Sequence, residues 1–108
     1  MATIENDRKL MTLVNIFTVG PDKQGDLADM LVRATHETMQ HLPGFISASI
    51  PKSADGKKVI NYAQWRSHAE FAALKDNPKA IPHMQVAAAL ASFEPIICEV
   101  VDSVTTDS

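Results

Sequence analysis

The run from Val59 to Phe71, Val-Ile-Asn-Tyr-Ala-Gln-Trp-Arg-Ser-His-Ala-Glu-Phe, constrains the fold of this chain more than any other stretch. Its first half alternates as a strand does. Val59, Asn61, Ala63 and Trp65 share one face, and Ile60, Tyr62, Gln64 and Arg66 share the other. Its second half, Ser67-His68-Ala69-Glu70, has the S-x-x-E form of a capping box, so a helix is expected from His68. A strand that feeds a helix directly must lie in a sheet with that helix packed against it. Asn61 and Trp65 then lie on one face with backbones roughly 13 Å apart at about 3.3 Å per residue, room for a flat, multi-ring molecule.

The remaining segments fix the order of elements. Met11 to Val19 is rich in β-branched residues and stops at Gly20-Pro21, which predicts a first strand and a turn. From Asp22 to Leu42, Leu27, Leu31, Ala34, Thr38 and Leu42 recur at helical spacing, with Ala28, Val32, Thr35 and Met39 beside them. Pro43-Gly44 ends that amphipathic helix, because proline cannot donate the next helical hydrogen bond. Phe45 to Ile50 is the second strand, and Asp55-Gly56 supplies a tight hairpin turn into the third. The helix after Trp65 is expected to break near Asn77-Pro78, with Asn77 as cap and Pro78 opening a second segment that reaches about Ser92. Glu94 to Asp102 is the expected fourth strand. Strand, helix, strand, strand, split helix, strand with right-handed crossovers predicts an α+β fold: a ferredoxin-like, four-stranded antiparallel sheet with the helices on one face. Apolar residues on both strand faces, such as Leu13 and Phe17 against Val14 and Ile16, leave an apolar sheet face uncovered and predict a homodimer packed sheet to sheet.

A chain of 108 residues is expected to be one domain over residues 11–102, with residues 1–10 and 103–108 as tails. Hydrophobic content of 45% with 21% charged residues reads as an ordinary globular protein, and a formal charge of −3 argues against a nucleic-acid partner. No apolar run is long enough for a membrane span, and the sole cysteine, Cys98, excludes an intramolecular disulfide; a cytoplasmic location is expected. Gly20, Gly25, Gly44 and Gly56 are scattered, so no glycine-rich loop is present to cradle a flavin or nicotinamide phosphate. His36, His41, His68 and His83 form no i, i+4 pair on one helix, and no metal or other cofactor is expected.

Taken together, the chain resembles the antibiotic biosynthesis monooxygenase family of dimeric α+β barrels over about residues 11–101. The resemblance is carried by Val14-Asn15-Ile16-Phe17, by His41-Leu42-Pro43-Gly44-Phe45, by Asp55-Gly56, by Asn61-Tyr62-Ala63-Gln64-Trp65 with the Ser67 cap, by Pro78 and by Phe93-Glu94-Pro95. It implies a pocket between sheet and helices in each subunit. It also implies a homodimer that oxidises an electron-rich aromatic, a quinol or anthrone, with O₂ and no cofactor. Asn61 and Trp65 are then the expected catalytic residues, with the amide donating to a developing oxyanion and the indole supplying a donor and a stacking face. Asn15, Phe17, Phe71, His83 and Met84 are the expected substrate contacts.

The sequence also departs from the quinone-forming subgroup. Phe71, about Met84 and Pro51 stand where that subgroup carries a catalytic Tyr, Arg and His, so its proton route is missing as written; His83 or His36 is available in its place. Tyr62, Gln64 and Arg66 are expected to meet a dimer partner or solvent, and Cys98 to pack as a small core residue. His36, His41 and His68 are expected to be solvated helix residues, and Asp26 and Asp29 to lie on the outer helix face. Two alternatives stand beside the monooxygenase: a non-catalytic barrel that binds a small hydrophobic molecule, and a haem-degrading relative. Ala72-Ala73-Leu74 replaces the ring-ruffling Trp of that haem-degrading branch, whose active-site Asn corresponds to Asn15.

Overall fold

A computed structural model of the chain describes residues 10–106; the expected N-terminal tail lies almost wholly outside them. Elements follow the order β1 (Met11–Thr18), α1 (Gln24–Glu37), β2 (Phe45–Ser49), β3 (Lys58–Trp65), α2 (His68–Ala72), α3 (Ile81–Leu90) and β4 (Ser92–Cys98). Short 3₁₀ turns follow α1 at Met39–His41 and α2 at Ala73–Asp76. The strands form one antiparallel sheet in the order β2-β3-β1-β4, the ferredoxin-like arrangement expected from the order of elements.

Strand parity sets what each face of the sheet carries. Across the central pair, Leu13 faces Ala63, Asn15 faces Asn61 and Phe17 faces Val59, and β4 adds Ile97, Pro95 and Phe93 in the same three rows. The helices cover this face. One core cluster gathers Phe17 and Val59 with Leu27, Met30, Leu31 and Ala34 of α1 and Ala87 of α3. A second gathers Met11, Leu13, Ala63 and Trp65, with Phe45, Phe71 and Leu74 packed around them. The Asn15–Asn61 row lies between the two clusters, so the core is divided at the one row of the central pair that is polar on this face.

Local chemistry fixes the junctions. The first turn of α1 is pinned to the β2–β3 hairpin by Gln24, whose Nε2 donates to the carbonyl oxygens of Ser53 and Lys58 at 3.0 Å each. At the hairpin tip the Asp55 carboxylate accepts from the Ser53 hydroxyl (2.6 Å) and the Lys57 N–H (3.0 Å), which holds its carboxyl below the ordinary value. Ser67 caps α2, its hydroxyl oxygen accepting from the Glu70 N–H at 3.1 Å. The reciprocal half of the capping box is not made. The Glu70 carboxylate instead accepts from the Arg66 guanidinium, at 3.0 Å from Nε, and from the Ser67 hydroxyl. Gly44, at φ +86°, carries the chain over this cap so closely that a Cβ there would lie 2.6 Å from Cδ of Glu70.

Several expectations need correction. β4 runs from Ser92 to Cys98, not from Glu94 to Asp102, because its partner runs out: Cys98 pairs with Thr12, one residue from the start of β1. Residues 99–106 have no regular secondary structure. The long helix ends at Glu37, where Thr38 leaves helical geometry (φ −130°, ψ −62°), and only a 3₁₀ turn continues toward Pro43. Pro78 sits in a turn held by Asn77, whose Oδ1 accepts from the Lys79 N–H at 2.8 Å; the helix opens at Ile81, with Pro82 in its first turn. Gln64 meets neither a partner copy nor solvent, since it is fully buried and donates to the Thr12 hydroxyl at 3.1 Å. Cys98 is half-buried on an edge strand and lies outside both core clusters. Among the described residues no helix is long and apolar enough to cross a membrane.

Candidate functional site

The divided core opens into a cavity of about 420 Å³ between the sheet and the helices. That volume falls in the ordinary range of small-molecule sites, roughly 300–1,000 Å³. Its floor is the helix-facing side of β1 and β3, its roof α1 and α3, and its far end the aromatic group around α2. All seven residues singled out in the sequence, Asn15, Phe17, Asn61, Trp65, Phe71, His83 and Met84, lie on its wall.

The floor is polar at one row only. Asn15 and Asn61 are register partners, so their side chains stand side by side, and the Oδ1 atom of each is buried without a hydrogen-bond partner. A buried, unpaired amide oxygen costs roughly 1–3 kcal/mol. A carboxamide turned end over end keeps its shape and presents N–H instead, so the pair can offer donors, acceptors or one of each. Two such amides at the base of a largely apolar cavity have the chemistry to hydrogen-bond oxygens on a ring edge.

Trp65 is 3% exposed and sits in an aromatic group, edge-on to Phe45 with ring centroids 5.3 Å apart and tilted to Phe71 at 6.1 Å. These neighbours fix the indole plane, so the cavity wall presents a rigid flat surface at this end. At the other end Phe93 pairs with Phe17 at 5.9 Å. Phe93 is 51% exposed and Met84 42%, so the cavity opens to solvent at β4 and α3.

Sequence reasoning missed part of the wall. His68, expected to be a solvated helix residue, is exposed but lines the rim beside Phe71, with ring centroids 6.4 Å apart; its place three residues after Trp65 was the available signal. Lys75 joins the same rim. Thr38 was also missed. It is buried, and its Oγ1 lies 3.0 Å from Nε2 of His83; a threonine in the apolar stripe of α1 was the available hint. His36 and His41 are exposed and absent from the wall, which removes His36 as a substitute proton carrier. Asp26 and Asp29 flank a separate, open depression between α1 and α3. Among the described residues no three His, Cys, Asp or Glu side chains gather closely enough to hold a metal ion.

Comparison with known proteins gives this site its context. The family model described as antibiotic biosynthesis monooxygenase matches residues 10–90. The chain belongs to the antibiotic biosynthesis monooxygenase family. It is 47% identical over 103 residues to the tetracenomycin-F1 monooxygenase of Streptomyces glaucescens, covering 95% of this chain and 92% of that one. At this identity and coverage the chain is an enzyme of the monooxygenase class. Solved structures share the fold at lower identity. A monooxygenase from the ActVA-Orf6 gene of Streptomyces coelicolor, in complex with nanaomycin D, superposes with a TM-score of 0.78 at 23% identity, over 94% of this chain and 97% of that one. A mutant of SnoaB, a cofactor-independent oxygenase from Streptomyces nogalater, gives 0.77 at 22% identity, over 91% and 99%.

The family's quinone-forming pattern can then be placed on this cavity. Phe71 and Met84, where that pattern has Tyr and Arg, line the wall and make it more apolar. Pro51, where it has His, is exposed on the hairpin and away from the wall. Of the residues read from the resemblance, Asn61 and Trp65 keep that pattern and line the wall, while the three proton-handling positions depart from it.

Proposed function

We propose that this chain is a cofactor-independent monooxygenase that oxidises an electron-rich, fused-ring phenol or anthrone to the corresponding quinone with O₂. The observation that carries this reading is the pair of orphaned amides, Asn15 and Asn61, at the base of a largely apolar cavity. The 47% identity to an enzyme named for tetracenomycin F1 supports the substrate class.

An anthrone carbanion, or its phenolate counterpart, is a strong enough reductant to pass an electron to O₂. The protein therefore has to bind the ring system, favour loss of the proton and stabilise the resulting negative oxygen. Recombination of the radical pair gives a peroxide, and loss of water leaves a carbonyl. One oxygen atom enters the product and the other leaves as water, so CH₂ and O₂ become C=O and H₂O. Asn61 donates to the developing oxyanion, a contribution of roughly 3 kcal/mol in a site closed to water. Asn15 holds the neighbouring oxygen of the same ring edge. Trp65 and Phe71 stack on the rings, while Phe17, His83 and Met84 bound the remaining space.

The active form under this reading is a cytoplasmic homodimer packed through the far face of the sheet. Its reactants are the aromatic substrate and O₂, with no nucleic-acid or membrane partner. Oxygen uptake by purified protein stripped of metal and flavin, measured over a panel of anthrones and naphthols, tests the activity. Uptake no faster than in buffer for every compound would overturn it. A non-catalytic binding barrel separates from it through Asn61→Ala, which lowers turnover on the order of 10²-fold in a monooxygenase but changes only affinity in a binder.

A further inference from the structure

We propose that His83 is the proton acceptor of this site, working through Nδ1, and that Thr38 is the positioning residue that holds its Nε2. The inference rests on the oxidative reading above and supplies the proton route that Phe71, Met84 and Pro51 leave vacant.

The cavity wall contains no carboxylate. Its titratable side chains are His68, Lys75 and His83. An ammonium carries no lone pair and the asparagine amides are not bases, so only the two imidazoles can accept a proton. His68 is exposed in the first turn of α2, at the rim, where water competes for it. His83 is half-buried in α3 and its distal nitrogen is fixed, Nε2 lying 3.0 Å from Oγ1 of Thr38. Thr38 is itself well placed to fix something. It caps the C-terminus of α1, with its backbone N–H donating to the Ala34 carbonyl at 3.0 Å, and its side chain is buried against α3.

A hydroxyl can accept from Nε2–H or donate to a bare Nε2, so the contact admits two tautomers, and the first is the one that serves as the base here. When Nε2–H donates to the threonine oxygen, the Nδ1 lone pair is left free to act as a base. Once Nδ1 takes a proton, the same Nε2–H···Oγ1 bond persists and becomes charge-assisted, so nothing has to break during the cycle. The substrate C–H or O–H bond breaks with its electron pair left on the ring system, and the proton moves to Nδ1. After O₂ has added, the imidazolium returns that proton to the peroxide oxygen. His83 then takes the remaining proton from the carbon that bears the peroxide as the O–O bond breaks, and gives it to the departing hydroxide to make water.

Charged groups on the elements around His83 lie at the surface. α1 carries Asp26, Asp29 and Arg33 along the depression it shares with Val86 and Leu90 of α3, and His36 and Glu37 beside Thr38, all exposed; the 3₁₀ turn packed on α3 carries Lys75 and Asp76, and of all these only Lys75 reaches the wall. With His68 and Lys75 unchanged, a pH profile that follows His83 can be told from theirs by substitution.

The test compares oxygen uptake with a dihydroxyanthrone from about pH 5 to about pH 9 for the parent protein, His83→Gln, Thr38→Val and Thr38→Ser. The parent is expected to lose kcat/KM on the acid side with a single-proton limb. His83→Gln is expected to lose that limb and on the order of 10²-fold in kcat. Thr38→Val, which keeps the shape and removes the hydroxyl, is expected to cost about tenfold in kcat with KM nearly unchanged, and to displace the limb. Thr38→Ser restores both. ¹⁵N NMR of His83 should show the Nε2–H tautomer in the parent and a mixture in Thr38→Val, with unchanged circular dichroism showing that each variant folds. Retention of turnover and of the acid limb in His83→Gln overturns the proposal, and a parental profile and tautomer in Thr38→Val overturns the part assigned to Thr38. A parent protein that consumes no oxygen removes the activity itself, a result distinct from either.

Discussion

The two amides at the centre of the sheet are a cost to the fold. Each buries a carboxamide oxygen with no donor, in a row flanked on both sides by apolar core. Replacing Asn15 or Asn61 by Leu removes the unpaired polar group at similar volume, and is expected to raise stability by about 1–2 kcal/mol, or roughly 5 °C in Tm. The same substitutions are expected to lower oxygen uptake on the order of 10²-fold. Thermal melts and oxygen-electrode rates on both variants check this, and a variant that loses both stability and activity would show that the amides are structural. At this scale the sequence was informative wherever parity decided the outcome. Asn61 and Trp65 are an even number of residues apart on one strand and reach the same cavity, and Asn15 follows Phe17 by the same rule. Thr38 and His68 were not readable in that way, because their roles depend on which helix face meets which neighbour, and no local period encodes that.

At the scale of elements, the junction of β3 with α2 governs the aromatic end of the cavity, since Trp65 ends the strand and Phe71 lies in the helix it feeds. Ser67→Ala removes the hydroxyl cap and is expected to cost about 1 kcal/mol, read as a lower denaturation midpoint. The Glu70 carboxyl lies below its ordinary value, chiefly through the Arg66 guanidinium and then through the Ser67 hydroxyl. A depressed carboxylate stabilises the folded state fully above its unfolded value, near 4.5, and that contribution is lost as the pH falls through the lower folded value. Protection factors of the α2 amides, corrected for the intrinsic pH dependence of exchange, should therefore fall on acidification below about pH 4 in the parent protein and be nearly flat with pH in Glu70→Gln. Gly44→Ala is expected to be worse than either, costing roughly 2 kcal/mol or more, because it combines positive φ with a collision against Glu70. The serine cap was legible because it rests on adjacent residues, whereas α1 stops at Glu37, short of the Pro43-Gly44 pair that marked its expected end. The end of β4 was not legible either. Val100 and Val101 continue the β-branched run, and only the length of β1, its hydrogen-bonding partner, stops the strand at Cys98.

For the molecule as a whole, the far side of the sheet decides what the active species is. Thr12 and Gln64 are buried and bonded to each other there, but Val14, Ile16, Ile60, Tyr62 and Ile96 form an apolar field that is half-buried or exposed. β4 adds exposure on its other face as well, with Phe93 at 51% and Ile97 at 49%, beside the cavity mouth. Apolar fields of this extent on both sides of one edge strand are costly to leave in water, and association of two copies through the far face would cover the larger of them. A chain of 11.8 kDa should accordingly sediment at twice that mass. Ile60→Asp places a charge at the centre of the field without touching the cavity, and is expected to shift the protein to the single-chain mass. Coupling between the two faces gives the sharper outcome. β3 carries Ile60 on one face and Asn61 on the other, so loosening the interface should loosen the floor of the site. The monomeric variant should then retain affinity for the aromatic ligand to within about tenfold, read by quenching of the single tryptophan, while turnover falls by more, because orientation of the oxyanion is more sensitive to small displacements than stacking is. Full turnover in a monomeric variant would show that each chain is a complete catalyst and that the apolar field serves some other contact.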